Sequence, residues 1–429
     1  MSPTGVAASV PLERRLANFR ATRGEAAWGR LSRPRPGGLA ERIATALGGE
    51  MVHGQTGTFI RIEAPVEHLP LDRASLARLP GHPGEEVPLL CLDTETTGLG
   101  TATGTVVFLV GLGWWEGPSF RRVQLVLPDH ADEPAFLTAL RDLIPSGAWL
   151  VTYNGRAFDW PLLVTRYRLD RRPPPVSAGH LDLLPFIRRV FRHRLPDARL
   201  RTVEVALLGG YRHGDVESWQ IPAIYIDMLR GGPVEPLRAV ARHNGEDVRS
   251  LARLLVYSAG LGNPVARAAA ERGDLAGLAR GYARERRHDE ALACLDAALA
   301  GDEQCPAWPS PRESRTSRLE RQRLLAERAR TLRRLGQFDE AIASWRDLAH
   351  EGGPLVPLAL IELAKGLEWR QRDPAGALRA TDQAGSLADR ARQLGRPLPL
   401  LEREVSRRRR RLLARVARQN RQVVGSQAG

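Results

Sequence analysis

One lysine, Lys365, stands among the 63 basic residues of this 429-residue chain, and all the others are arginine. No Gly-Lys-Ser or Gly-Lys-Thr triplet exists, so a phosphate-cradling P-loop is excluded. Cysteine is nearly as scarce. Cys91, Cys294 and Cys305 make no Cys-x-x-Cys pair and no zinc spacing, which leaves no disulfide framework and points to a reducing, cytoplasmic setting. Long apolar runs are missing: the longest, Val106 to Trp115, is too short to span a bilayer, so no membrane association is expected. The arginine-bearing N-terminus lacks the apolar core of a signal peptide. Acid is in deficit, 49 carboxylates leaving a net charge of +14, and a polyanionic partner is the expectation. An all-arginine basic set is also what coding bias in a GC-rich genome produces. A hydrophobic content of 43% and a length sufficient for two or three cores describe a multidomain globular protein.

What is present is organised around Val87 to Gly98. Leu89-Leu90-Cys91-Leu92 is a short apolar run suited to a strand buried on both faces, with Asp93 and Glu95 at its carboxyl end and Thr96-Thr97-Gly98 breaking it. Side chains two apart share one face of an extended chain. Two carboxylates so close to a buried strand are costly unless a cation neutralises them, and hard oxygen ligands select Mg²⁺ or Mn²⁺.

In chain order, 1–38 reads as a loosely ordered basic N-terminus, and 39–85 as a small segment and connector with a helix over Leu39–Leu47 and a strand over Thr58–Ile62. Strands are predicted over Thr105–Trp115, Arg121–Leu127 and Ala148–Tyr153, with helices over Asp132–Leu143 and Pro161–Arg168. Leu181–Leu184 reads as a last short strand. Together they predict, for 86–261, an α/β domain whose mixed sheet of about five strands is flanked by helices. Asn154-Gly155-Arg156-Ala157-Phe158-Asp159 lies where a strand hands over to a helix, the place where open α/β sheets bind ligands. Asp159 there suits a helix cap as well as a ligand role. His243 and Asp247, four apart on a helix, project from one face, and His243 taken alone is as compatible with a structural role.

The three motifs Asp93-x-Glu95, Asn154-x-x-x-Phe158-Asp159 and His243-x-x-x-Asp247 resemble, in order, those of DEDD-type exonucleases of the RNase H-like superfamily, and more closely the YprB-type domain. Thr101 to Gly113, His180-Leu-Asp182 and Glu204 to Gly209 are similar to intervening segments of that subgroup. The resemblance spans about 86–258. It implies an RNase H-like fold, 3′-5′ exonuclease activity, and Asp93, Glu95, Asp159 and Asp247 as ligands of two divalent metals. His243 takes the spacing of the subgroup with Tyr-x-x-x-Asp, whereas another carries His-x-x-x-x-Asp.

The residues suit phosphodiester hydrolysis without the family. Two ions about 3.5–4 Å apart supply hydroxide, neutralise the transition state and assist the leaving oxygen. An imidazole at His243 suits taking the proton of an attacking water. Thr96, Leu99, Asn154 and Phe158 are the candidate substrate contacts; Phe158 serves equally as a base-stacking surface or as plain core. From about residue 270 to 400 the pattern becomes helical hairpins. Junctions at His288–Leu292, Gln337–Ile342 and Arg372–Leu378 place Ala291, Ala341 and Ala377 in equivalent positions, a tetratricopeptide-like all-α domain suited to a protein partner, or a generic helical domain. The tail, 401–429, opens with nine arginines against two glutamates between Leu401 and Arg421, a basic helix able to grip a phosphate backbone. The expectation is a metal-dependent 3′-5′ exonuclease acting on DNA or RNA. Its rival is an inactive RNase H-like binding or scaffolding protein.

Overall fold

Helix α1 (Leu39–Leu47) opens the part of the chain that the computed structural model describes, residues 38–98, 104–212, 214–267, 269–300 and 311–427. The expectations for 1–37, Leu99 and Cys305 lie outside the described residues. Gly48 ends α1 at φ +65°, a left-handed cap that glycine adopts without a Cβ penalty. The expected strand follows as β2 (Gly57–Glu63), preceded by an antiparallel partner, β1 (Glu50–Gly54). The presumed connector holds β3 (Glu67–His68) and a short helix, α2 (Arg73–Ala77), capped by the Asp72 carboxylate, which accepts the Ser75 N–H at 2.9 Å.

An antiparallel meander comes next: β4 (Leu89–Thr96), β5 (Val107–Glu116) and β6 (Ser119–Val126). Helix α3 (Glu133–Leu143) leads to β7 (Trp149–Thr152), and α4 (Asp159–Leu169) leads to β8 (Gly179–Asp182). β7 runs parallel to both β4 and β8. The order β1-β2-β6-β5-β4-β7-β8, with β3 on β6, makes one eight-stranded sheet. Its β6-β5-β4-β7-β8 portion is the expected mixed sheet of five strands, and β1, β2 and β3 enlarge it. Segment 39–85 is therefore continuous with the sheet.

One boundary is corrected. β8 stops at Asp182, and Leu183 begins α5 (Leu183–Val190), because the Asp182 carboxylate caps that helix by accepting the Leu184 N–H at 3.1 Å. Then come α6 (Leu200–Val203), a π turn (Glu204–Leu208), α7 (Ile221–Leu229) and the long α8 (Leu237–Gly262). β4 is buried on both faces. Leu90 and Leu92 join one core with Phe136 and Leu140 of α3, while Leu89 and Cys91 join another with Leu251 and Leu255 of α8.

The remaining helices are α9 (Pro264–Arg267), α10 (Arg272–Arg284), α11 (His288–Ala300), α12 (Pro311–Arg334), α13 (Phe338–His350), α14 (Val356–Trp369), α15 (Pro374–Gln393) and α16 (Pro399–Gln427). From α10 onward each packs on the next, and Ala291, Ala341 and Ala377 are buried between them. The change of pattern near residue 270 is not a break in packing. Leu275, Leu278, Ala279 and Tyr282 of α10 share one core with Leu183, Phe186, Ile187 and Val190 of α5.

The basic run of α16 is largely committed within the chain. Arg408, Arg411 and Arg415 converge on the buried carboxylate of Glu368 at 2.7–2.9 Å, and Arg407 and Arg408 also bond Glu404. Burial works against charge on Glu368, but the three guanidiniums outweigh it and hold its carboxyl below the usual range. Val405 and Leu412 are buried in the helical core, so α16 is a structural element before it is a phosphate grip.

Candidate active site

Asp93 and Glu95 lie within β4 rather than beyond it. They pair with Gly111 and Leu109 of β5, and the register slips only between Glu95 and Thr96. Opposite Asp93, glycine is required. A Cβ on Gly111 would fall 2.3 Å from Oδ1 of Asn244 and 2.7 Å from Val248 Cγ2, so its absence lets α8 settle onto the sheet. Asn244, fully buried, then bridges the two elements. Its Nδ2 donates to Asp93 Oδ2 at 2.8 Å, and its Oδ1 accepts from Gln124 Nε2 at 2.8 Å.

Asp159 arrives from the other side. Asn154 turns the chain in the left-handed region at φ +68°, and its N–H donates to Asp182 at 2.7 Å, which fixes the turn from which α4 starts. A Cβ on Gly155 would lie 2.9 Å from Asp159 Oδ2. The Thr94 hydroxyl donates to the other Asp159 oxygen.

Asp247 comes from α8, one turn beyond His243, with His243 Nε2 3.7 Å from its carboxylate. The other ring nitrogen of His243 bonds Asp215 at 2.8 Å. Arg212 donates to Asp247 at 2.5 Å, to Glu204 through Nε at 2.8 Å, and lies 3.4 Å from Asp215. Strand, helix start and long helix thus bring Asp93, Glu95, Asp159 and Asp247 into one cluster.

The electrostatics follow from crowding. Burial, then Asp247, Glu95 and Asp159, push the Asp93 carboxyl well above its usual range. Burial, then Asp247, Asp159 and Asp215, do the same to Glu95. Asp159 is raised by burial against the Thr94 bond, and Asp247 by burial against His243 and Arg212. Burial also works on Asp215, but His243 and Arg212 hold it below its usual range.

Glu95 and Asp159 line a cleft of about 200 Å³ whose walls are Thr94, Thr96, Phe158 and, from α7, Ile221. Phe158 is 49% exposed there, which removes the plain-core reading. Thr96 donates its hydroxyl to the Gly98 carbonyl at 2.6 Å. Leu99 lies outside the described residues. Sequence reasoning missed Thr94, Asn244, Arg212 and Asp215. Asn244 sat in full view inside the third motif, whereas Arg212 and Asp215 belong to an irregular stretch with no periodicity to read.

A mixed sheet carrying carboxylates on its central strand and on the helices against it defines the RNase H class. Residues 90–259 match the family model of the RNase H superfamily. Over 306 residues, 71% of this chain and 70% of the other, the chain is 30% identical to the "uncharacterized protein YprB" of Bacillus subtilis (strain 168). The chain belongs to the family of YprB, and its residues 90–259 are an RNase H superfamily domain.

Members of this class use hard divalent cations, and the donor chemistry here fits one: oxygen ligands only, mutually repelling, with Arg212 bonded to just one of the four acids. Among the described residues, no three acids, cysteines or histidines already stand in the arrangement that holds an ion. Arg212 on Asp247 and Thr94 on Asp159 are the bonds that keep these two carboxylates engaged elsewhere.

Proposed function

We propose that the chain is a nuclease dependent on Mg²⁺ or Mn²⁺, hydrolysing phosphodiester bonds of DNA or RNA as a 3′-5′ exonuclease. The observation that carries the reading is the convergence of Asp93, Glu95, Asp159 and Asp247 from three elements beside an open cleft, each carboxyl raised by burial. These four residues would hold the ions. When bound, two such ions supply a hydroxide at neutral pH and neutralise charge on the transition state. His243, oriented by Asp215, takes the proton of the attacking water. Phe158 stacks on the terminal base, with Thr96 along the same wall and Asn154, in the turn before α4, as a further substrate contact. The polarity follows the DEDD resemblance. In the same reading α10–α16 form a tetratricopeptide-like platform for a protein partner, and the protein works in the cytoplasm.

A second reading, a non-cleaving nucleic-acid-binding or scaffolding protein, is favoured by Arg212, which already neutralises Asp247. Purified protein incubated with 5′-labelled and 3′-labelled DNA and RNA, with Mg²⁺, Mn²⁺ or EDTA, separates the two. Metal-dependent ladders from the 5′ label and mononucleotides from the 3′ label support the exonuclease. Retained binding without cleavage in either metal supports the second reading.

A further inference from the structure

The seam between α5 and α10 gathers positive charge. Glycines set how closely this seam closes. A Cβ at Gly273 would fall 2.3 Å from the His193 ring, and one at Gly277 would fall 2.5 Å from the Arg189 carbonyl oxygen. With the shared core behind it, the seam has no room to hinge. On its solvent side it opens as a cleft of about 620 Å³, five of whose nine lining residues are arginines: Arg188, Arg189, Arg192, Arg280 and Arg284. None of the nine is acidic. Arg280 is paired with Glu327 at 3.0 Å, and the remaining lining base, His193, lies 3.2 Å from Glu271. Among the described residues no carboxylate pairs with Arg188, Arg189, Arg192 or Arg284, in contrast to the arginines of α16 that close on Glu368.

Arg189 adds a second sign of an open valence. Its Nε is buried with no hydrogen-bond partner, and burial, with Arg284 nearby, outweighs the nearby Glu285 carboxylate and pushes its guanidinium below the usual range. An unsatisfied buried donor costs free energy that an arriving acceptor recovers. Arginine forks match the oxygens of a phosphate in geometry as well as charge. The helix that carries the cleft also begins at the turn that leads into α4. Asp182, which caps α5 and anchors the Asn154 turn, is separated from Arg189 by roughly 10 Å of helix at about 1.5 Å per residue. Arg188 acts electrostatically on Tyr153, the residue before that turn.

We propose that the seam between α5 and α10 holds the phosphodiester backbone of a nucleic acid strand, with Arg188, Arg192 and Arg284 as direct phosphate contacts and Arg189 as the buried donor behind them. The proposal rests on the nuclease reading only for the route from the cleft to the acids; the binding itself is measured apart from cleavage.

The test uses the full chain and a fluorescein-labelled 20-nucleotide DNA or RNA in EDTA, with anisotropy followed across salt concentrations. The variant Arg188→Gln/Arg192→Gln/Arg284→Gln is compared with Arg403→Gln/Arg410→Gln/Arg418→Gln, which removes equal charge from exposed positions of α16. Three lost contacts lower the log–log salt slope by roughly 2 and weaken binding about tenfold, while the α16 variant stays near wild type. An unchanged slope in the seam variant, equal loss in both variants, or no binding by the wild type overturns the proposal. Hydrolysis of bis(p-nitrophenyl) phosphate with Mn²⁺, a substrate too small to reach the seam, reports on the acids alone. Seam-dependent binding without that hydrolysis sinks the nuclease reading and keeps the groove. Hydrolysis with an unchanged slope does the reverse.

Discussion

Glu95 is the acid whose fate says most about the cluster. Every charge acting on it is another carboxylate, and burial adds to their effect, so it destabilises the fold whenever it is ionised without a cation. Glu95→Gln is therefore expected to raise the unfolding free energy near pH 8 in EDTA, while abolishing cleavage. Denaturant midpoints and single-turnover rates on the same samples check it; a less stable Glu95→Gln protein would contradict the crowding argument. His243 poses a different question, because its bond to Asp215 and its place one turn before Asp247 suit both an oriented base and a strut. As a base it is worth about 10²–10⁴-fold in rate. His243→Ala should show that loss with its thermal midpoint kept within a few degrees, and His243→Tyr should recover part of the rate. A stable His243→Ala protein cleaving at the wild-type rate removes the imidazole from the chemistry.

Among the elements, the short segment around α2 carries a pH signature. His82 stacks edge-on against Phe186 of α5 with ring centres 5.0 Å apart, and its Nδ1 meets the Pro80 carbonyl at 3.1 Å. Burial pushes the imidazole down to about 4 from an ordinary value of 6.5. The unfolded chain thus binds a proton between these values that the folded chain excludes. Stability is fully present above the unfolded value and lost as pH falls towards 4, by up to about 3 kcal/mol. Going from pH 7 to pH 5, wild type should lose clearly more than His82→Leu, a comparison in which the carboxyls are common to both. Equal losses would show that His82 is not the group responsible. The same segment shows what the sequence hid. β4, β5 and β6 announce themselves by apolar runs, and α1 by its helical period. β1 is largely exposed, with no alternation to read, and becomes a strand only because Gly57 turns β2 back beside it. Asp93 and Glu95 were legible as a pair because a two-residue spacing on a strand forces a shared face, whereas Asp159 and Asp247 joined them through the order of motifs that resembles the DEDD exonucleases. Arg212 was not, because its contacts with Glu204, Asp215 and Asp247 depend on where the irregular stretch after the π turn comes to rest.

For the whole molecule, the shared core of sheet and helices decides how the chain divides. A chain ending at residue 268 would strip Leu275, Leu278, Ala279 and Tyr282 from α5 and expose the apolar faces they cover. It is expected to bind 1-anilinonaphthalene-8-sulfonate and melt without cooperativity, whereas a chain ending at residue 300 keeps those contacts and melts as a folded unit. Cooperative melting of the shorter chain near the wild-type midpoint would show that sheet and helices are energetically separate. The same rigidity has a consequence for what a digestion leaves behind. Asp182 ties the Asn154 turn to one end of α5, and the basic seam lies at the other, so under the proposed nuclease and seam readings the distance between cutting point and grip is set by a helix. A strand eroded until it no longer spans that helix loses its hold and leaves. Digestion of a long substrate should stall at a narrow band of short limit products, and weakening the seam should lengthen that band.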